Sequence, residues 1–422
     1  MQSLKYGLIA AIVVGAGLAA ACSDASSSTG GNQTGGNHTC GGVSFSEPPT
    51  SSTAMNVVGI GLDTMRYSAE IAVRGTLAYT SSWEVRYLQG DKIDIWDVSG
   101  ACPALIDSVI VTGVVNTGDV QISDDGTLLM VATEFEPGSV AIYSLADPKH
   151  PALLSRYSSD QTLAGVHTAK FGRVNGKLYG FLCIDPTTDF PARLVILDLS
   201  NPSSPAQVYV KITGNPYVHD TFPRDGYLFV TLWNDGLDIW DIGGGGTGAT
   251  PANPRVLGNV RTIGGEVHNV WWYHDASGSK QFAFVGEESA GTVGSTSRGD
   301  IHVIDVSDFT QPKEVAFYHV DGAGTHNFSV DETNGVLYAA YYNGGVRALD
   351  VHGQLGTCDP SQQAYDQPTN LYRCDLRLTG HEIGIGLSGV GRSVYVWGVQ
   401  YLPGQVYASD MLNGIWKLSA VR

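Results

Sequence analysis

Seven times along this chain a short apolar run ends on a turn. It reads IDIWDVS at 93–99, VAIYSLADP at 140–148, LVILDLSNP at 194–202 and LDIWDIG at 237–243. It returns as IHVIDVSD at 301–308, VRALDVHG at 346–353 and GIWKLS at 414–419. A recurrence at roughly 50 residues marks a repeated supersecondary unit, and it constrains the fold more than any single motif does. The unit at 217–262 shows its parts: YVHDTF, a PRDG turn, YLFVTLW, an NDG turn, LDIWDI, a Gly/Pro-rich connection, and RVLGNVRTI. Each piece is short, β-branched or aromatic, and bounded by Gly, Asp, Asn or Pro, which is strand chemistry. No segment keeps a helical period. Four antiparallel strands per unit and seven units predict an all-β, seven-bladed β-propeller. The Asp-x-Ser-x-Pro ending of several third strands is a turn device, since the side-chain oxygen caps backbone N–H groups and Pro fixes φ.

The last unit runs out of chain before a fourth strand, while MNVVGIGL at 55–62 is a spare strand ahead of the first. The expectation is closure by exchange, with the N-terminal strand completing blade seven and removing two exposed sheet edges.

Aligning the units brings a second regularity. His167, His219, His268 and His326 follow one another at steps of 52, 49 and 58 residues, in AGVHTAKF, PYVHDTF, GEVHNVWW and AGTHNFSV. They fall at the head of the first strand of blades three to six, the strand that lines a propeller's channel. Counting back from the first-hairpin glycine puts Ser68 and Asp119 at that level in blades one and two, and Trp397 in blade seven. Four imidazoles at one end of one channel admit three readings. They form a structural polar plug, they hold a transition metal, or they touch a ligand directly. Neutral imidazole is the commonest transition-metal ligand, and a metal needs nitrogen donors about 2.0–2.1 Å away. The set is similar, in geometry alone, to the four iron-holding histidines of carotenoid-cleavage oxygenases. A metal centre on His167, His219, His268 and His326 would therefore make the protein an enzyme, possibly of oxygenase type, with one metal ion as cofactor.

Loops at the same face carry Glu134, Asp235, Glu287, Glu288 and other acids, with Trp83, Phe135, Trp233 and Tyr342 among them. With Asp119, Glu266 and Trp397 these form an expected ligand rim, suited to a cation or to a cationic or sugar-like ligand. Asp119 and Glu266 are also candidates to orient the imidazoles. There is no G-x-S-x-G, H-E-x-x-H, C-x-x-C or P-loop, and GGGGTG at 243–248 precedes no helix.

The charge balance is 24 bases against 41 acids, a net −17, which argues against nucleic acid as a partner. The expected partners are a small-molecule or protein ligand and, for the N-terminus, a membrane; the chain is expected to be a monomer. After Lys5 comes GLIAAIVVGAGLAAA, an apolar run too short to span a bilayer, ending at Cys22. LAAAC resembles the lipobox of bacterial lipoproteins. The resemblance implies a signal peptide over 1–21, acylation of Cys22 and anchoring in the cell envelope. Ser23 after the Cys leans the expectation to the outer membrane. Residues 22–54, rich in Ser, Gly, Thr and Asn, read as a flexible tether. Export permits disulfides. Cys358 and Cys374 bracket an irregular insert, Cys40 and Cys102 would pin the tether to blade one, and Cys183 reads as a buried free thiol in a strand. The propeller is assigned to 55–422.

LVILDLSNPSSPAQV and IHVIDVSDFTQPKEV resemble the LVIVP-repeat family of exported bacterial β-propellers. That resemblance implies fold and export and leaves activity open. The leading expectation is an envelope lipoprotein serving as a binding or interaction module, its ligand at the histidine-lined channel mouth.

Overall fold

A computed structural model of the chain describes residues 37–40, 43–46, 55–214, 217–387 and 392–421. The expected signal peptide, Cys22 and most of the expected tether lie outside the described residues. Seven sheets follow one another in sequence order, each built on four antiparallel blade strands with the first strand innermost. The inner strands are Tyr67–Arg74, Val120–Ile122, Val166–Val174, Thr221–Arg224, Val267–Trp272, Phe328–Asp331 and Val396–Leu402. The fold is the seven-bladed propeller that the repeat predicts.

The third-strand motif is near-continuously apolar because that strand is covered on both faces by neighbouring blades. Leu237–Asp241 is buried at every position, whereas the outer strand beside it, Arg255–Val260, is exposed or half-buried throughout. Between blades three and four, Phe181, Ile196 and Val218 pack with Leu228, Val230 and Trp240. Burial of such side chains contributes roughly 1.5–3 kcal/mol each, and the same layer recurs between the other blades.

Blade seven is completed by Val57–Gly61, which runs antiparallel to Gly414–Ser419, with Val57 opposite Leu418 and Ile60 opposite Trp416. Gly59 is required there. A Cβ on it would come 2.1 Å from the carbonyl oxygen of Ala101, so the closing strand passes against blade one only as bare backbone.

Two features go beyond the sequence expectation. The tether is not wholly featureless: Asn37–Cys40 and Val43–Ser46 form a two-stranded hairpin, and Cys40, buried, is bonded to Cys102 of blade one. Blade five has six strands. The insert after the third strand of blade six returns along its outer edge, where Leu371–Asp375 pairs parallel to Lys313–Tyr318 and antiparallel to Gln363–Asp366. The Cys358–Cys374 disulfide closes this insert, and Cys183 is free and buried.

Candidate functional site

The histidines are placed by a backbone irregularity common to the inner strands. Val166 pairs with Ile184 and Thr168 with Cys183, leaving His167 as an extra residue. The same slip leaves out His268 in blade five and Trp397 in blade seven. In blade four the N–H of His219 donates to Thr231 O while the N–H of Thr231 donates to Asp220 O, and His326, Asn327 and Ala340 repeat that pattern in blade six. Each is a bulge, two residues facing one, which turns a side chain out of the strand's alternation. Here it turns the side chain toward the axis.

The imidazoles stand in one arc. Ring centroids are 4.2 Å apart for His167–His219, 4.0 Å for His219–His268 and 4.1 Å for His268–His326, and Trp397 continues the arc 4.1 Å from His326. Nε2 of His167 lies 2.8 Å from Nε2 of His219. Cis ligands about 2.1 Å from a shared ion stand about 3 Å apart, so this spacing suits two donors to one metal. The carboxylate of Glu288 faces the arc. Its oxygens are 3.7 Å from Nε2 of His219, 3.6 Å from Nε2 of His268 and 4.0 Å from Nε2 of His326. Glu288 also accepts a hydrogen bond from the Tyr342 hydroxyl.

Two imidazoles are fixed from behind. Nδ1 of His326 donates to the carbonyl of Trp397 at 2.7 Å, leaving Nε2 unpartnered and free to ligate. Nδ1 of His167 faces Glu134 at 3.2 Å and Asp185 at 3.4 Å, and Glu134 is steadied by the indole N–H of Trp83. This is the carboxylate–histidine arrangement that orients metal ligands. The electrostatics divide the four. Burial, with the neighbouring imidazoles, holds His219 and His268 well below the usual imidazole range, and burial holds His326 at about 3. These three are neutral donors at any ordinary pH. Burial opposes charge on His167 too, but Asp185 and Glu134 override it and raise this ring well above the usual range.

Beneath the histidines lies a second, deeper layer, formed by Glu70, Asp119, Asp220 and Asn327, each one residue further along, and by Lys170, three residues beyond His167. Lys170 stands 3.6 Å from both Asp119 and Asp220. Glu70 is held by Asn327 and raised to about 8, chiefly by burial and then by Asp119. These side chains fill the neck between the histidines and the opposite channel mouth.

Above the histidines opens a cup of about 400 Å³, walled by Trp83, Phe135, Tyr217, Trp233, Tyr395 and Trp397. Its carboxylates are Glu84, Glu134, Asp185 and Glu288, and no Lys or Arg lines it.

Comparison with known proteins agrees with the architecture. The LVIVD repeat family matches residues 181–210 and 224–262, the second to fourth strands of blade three and the body of blade four. The β-propeller domain of Cps50 (Swd1) from Myceliophteria thermophila superposes with a TM-score of 0.57 at 11% identity, over 87% of this chain and all of that one. The chain is a repeat β-propeller, with the LVIVD repeat matched in parts of blades three and four. No curated protein matches its sequence. At 11% identity the structural neighbour bears on fold alone.

In this propeller the expected site residues separate into three groups. His167, His219, His268, His326, Trp397 and Glu134 meet at the mouth. Asp119 is displaced from its expected level. The N–H of Ala132 donates to Asp119 O as the N–H of Thr231 does to Asp220 O, so Asp119 belongs to the deeper layer and Gly118 takes the histidine level. In blade one the N–H of Glu70 meets Ser81 Oγ as that of Asp220 meets Thr231 Oγ1, so Ala69 and not Ser68 is the equivalent. Counting from the hairpin fails because the inner strands of the first four blades are 8, 3, 9 and 4 residues long.

Glu266, Asp235 and Glu287 stand on the same face but outside the cup. Asp235 pairs with Arg261 at 2.7 Å, and Glu287 faces the buried His302 at 3.4 Å. Tyr217 and the layer of Glu70, Lys170 and Asp220 were not singled out by the sequence. A signal existed, because His219, His268 and His326 are each followed directly by Asp or Asn, and that second residue is the deeper layer.

Proposed function

We propose that the protein is an exported binding module of the cell envelope whose ligand site is the channel mouth, built on one transition-metal ion held by His167, His219, His268 and His326 with Glu288. One observation carries the reading: imidazoles from four consecutive blades abut in a single arc, and three of them, His219, His268 and His326, face one half-buried carboxylate, Glu288. A plug made only for stability would leave fewer buried nitrogens without partners. Here Nε2 of His326, on the side of the ring that faces Glu288, has none, and an unpaired buried polar atom costs about 1–3 kcal/mol. Imidazole with one carboxylate suits iron, copper, nickel or zinc.

The test is metal analysis of protein produced without a His-tag or chelator. About one transition-metal ion per chain is expected, lost in His219→Ala and His268→Ala variants that keep the parent's circular dichroism. Metal-free protein whose melting temperature ignores both chelator and added metal overturns the reading.

A second reading, a metal-dependent enzyme, is favoured by the open cup directly against the donors. It is separated from simple binding by turnover that tracks metal content. The envelope placement rests on the lipobox resemblance at Cys22 and predicts fatty-acid incorporation in cells that is lost in Cys22→Ala.

A further inference from the structure

The aromatic cup above the histidines is made at a cost that the fold does not need. Among the described residues, five side chains other than Asn and Asp take positive φ: Glu84 (50°), Phe135 (63°), Trp233 (47°), Glu266 (48°) and Tyr342 (41°). All five lie at the mouth face. Four are on the loops joining second to third strands in blades one, two, four and six, and Glu266 directly precedes the inner strand of blade five. The left-handed conformation is unfavourable for such residues by about 1–3 kcal/mol each, and clustering of that strain is a mark of ligand sites. Glycine would relieve it. What the strained backbone achieves at Phe135 and Trp233 is to present large rings to the cup.

Those rings are unsatisfied as packing. Phe135 is 45% exposed and Tyr217 39% exposed. The walls also face one another. Trp83 and Trp397, from blades one and seven, pair at 5.2 Å between centroids, and Tyr217 and Trp233 pair at 5.6 Å at the head of blade four. In a circle of seven, blade four is the one farthest from the junction of blades one and seven. The two aromatic pairs therefore stand across the axis from each other with the void between them.

Charge selects the ligand class. The lining holds Glu84, Glu134, Asp185 and Glu288 and no Lys or Arg, and of the imidazoles at its floor the one raised well above the usual range, His167, stands against Glu134 and Asp185. An anion entering this space meets carboxylates and the negative faces of aromatic rings. A cation meets favourable partners in both, and aromatic walls around a positive nitrogen are a known mode of ammonium recognition. We infer that the cup is a binding site for a small organic cation, an ammonium or quaternary ammonium group held between the Trp83/Trp397 and Tyr217/Trp233 walls. Phe135 and the rim carboxylates complete the enclosure. The site goes beyond the metal reading and does not require it, since the walls and carboxylates belong to the chain itself.

The experiment uses the mature chain, in chelator-treated and metal-supplemented samples, with tryptophan fluorescence reporting on the cup. Choline, tetramethylammonium and tryptamine are titrated beside 3,3-dimethylbutan-1-ol, the neutral isostere of choline, and beside benzoate. At least one ammonium is expected to bind, choline about tenfold more tightly than its neutral isostere, and benzoate weakest. Trp233→Ala is expected to weaken ammonium binding about tenfold. Phe135→Gly, which relieves the strained backbone, is expected to raise the melting temperature while weakening binding. The inference is overturned if no ammonium binds, if choline and its isostere bind alike, or if benzoate binds best. Ammonium binding that persists in protein with no affinity for metal would retire the metal centre and leave the cup in place. Metal bound without ammonium selectivity would do the reverse.

Discussion

Closure of the propeller rests on five residues, Val57–Gly61, and their removal tests the architecture most directly. In a variant lacking residues 55–62, blade seven loses its outer strand and Gly414–Ser419 becomes an edge. Met55, Val57 and Ile60 are buried, and at roughly 1.5–3 kcal/mol per side chain their loss removes about 5–9 kcal/mol, an upper figure because unfolded chains already bury some apolar surface. Backbone bonds go too, among them Met55 N–H to Ile385 O and Ser419 N–H to Asn56 O. A folded domain holds only about 5–15 kcal/mol in all. The variant should lose its cooperative melt or melt at least about 10 °C lower, and the exposed edge should promote association, seen as a shift to higher mass by light scattering. A synthetic peptide spanning 53–64, added in trans, should recover part of the stability, because the groove between blade one and the end of the chain is otherwise intact. A monomeric variant that melts within 2 °C of the parent would refute the closed-ring argument.

Three other outcomes follow from the packing. His302 is fully buried between Glu314, 2.8 Å away, and Glu287, and although burial opposes its charge, these carboxylates raise it to about 9. Its folded value exceeds the unfolded one, so its stabilisation is complete below pH 6.5, falls between 6.5 and 9, and is absent above. The scale is roughly 3 kcal/mol, and His302→Gln should flatten that part of the difference in a denaturation series against pH. Replacing Cys358 and Cys374 by Ser opens a 16-residue separation, worth about 3 kcal/mol in the chain-entropy account; proteolysis within the insert should accelerate, and unchanged cleavage would argue that strand pairing with blade five alone holds it. Cys183 is buried and burial pushes its thiol up, so in a Cys22→Ser chain a thiol reagent should find no reactive cysteine in native protein and one in denaturant.

Much of this was legible in the sequence because a propeller repeats its local chemistry. Seven apolar third strands, turn residues at fixed offsets and a spare N-terminal strand specify blade number and closure without any long-range information. The shared register of His167, His219, His268 and His326 told that they would converge, since equivalent positions in a closed circle share a distance from its axis. What the repeat could not convey was the offset at each strand head. A bulge of one residue decides whether Asp119 stands beside the imidazoles or beneath them, and whether Ser68 or Ala69 is equivalent to His167. Side-chain direction was equally hidden. Asp235, Glu266 and Glu287 belong to the right loops, yet partners such as Arg261 and His302 draw two of them elsewhere.

The sequence by itself determined the number of sheets, their order, the closing strand and the cysteine pairs, because each depends on periodicity or on residue type. Only the tertiary structure decided the choice of Glu288 as the carboxylate facing the histidines, the polar neck around Lys170, and the strained aromatic walls over the channel. These arise where chain segments hundreds of residues apart meet at the axis, and their geometry is set by contacts that no local pattern records.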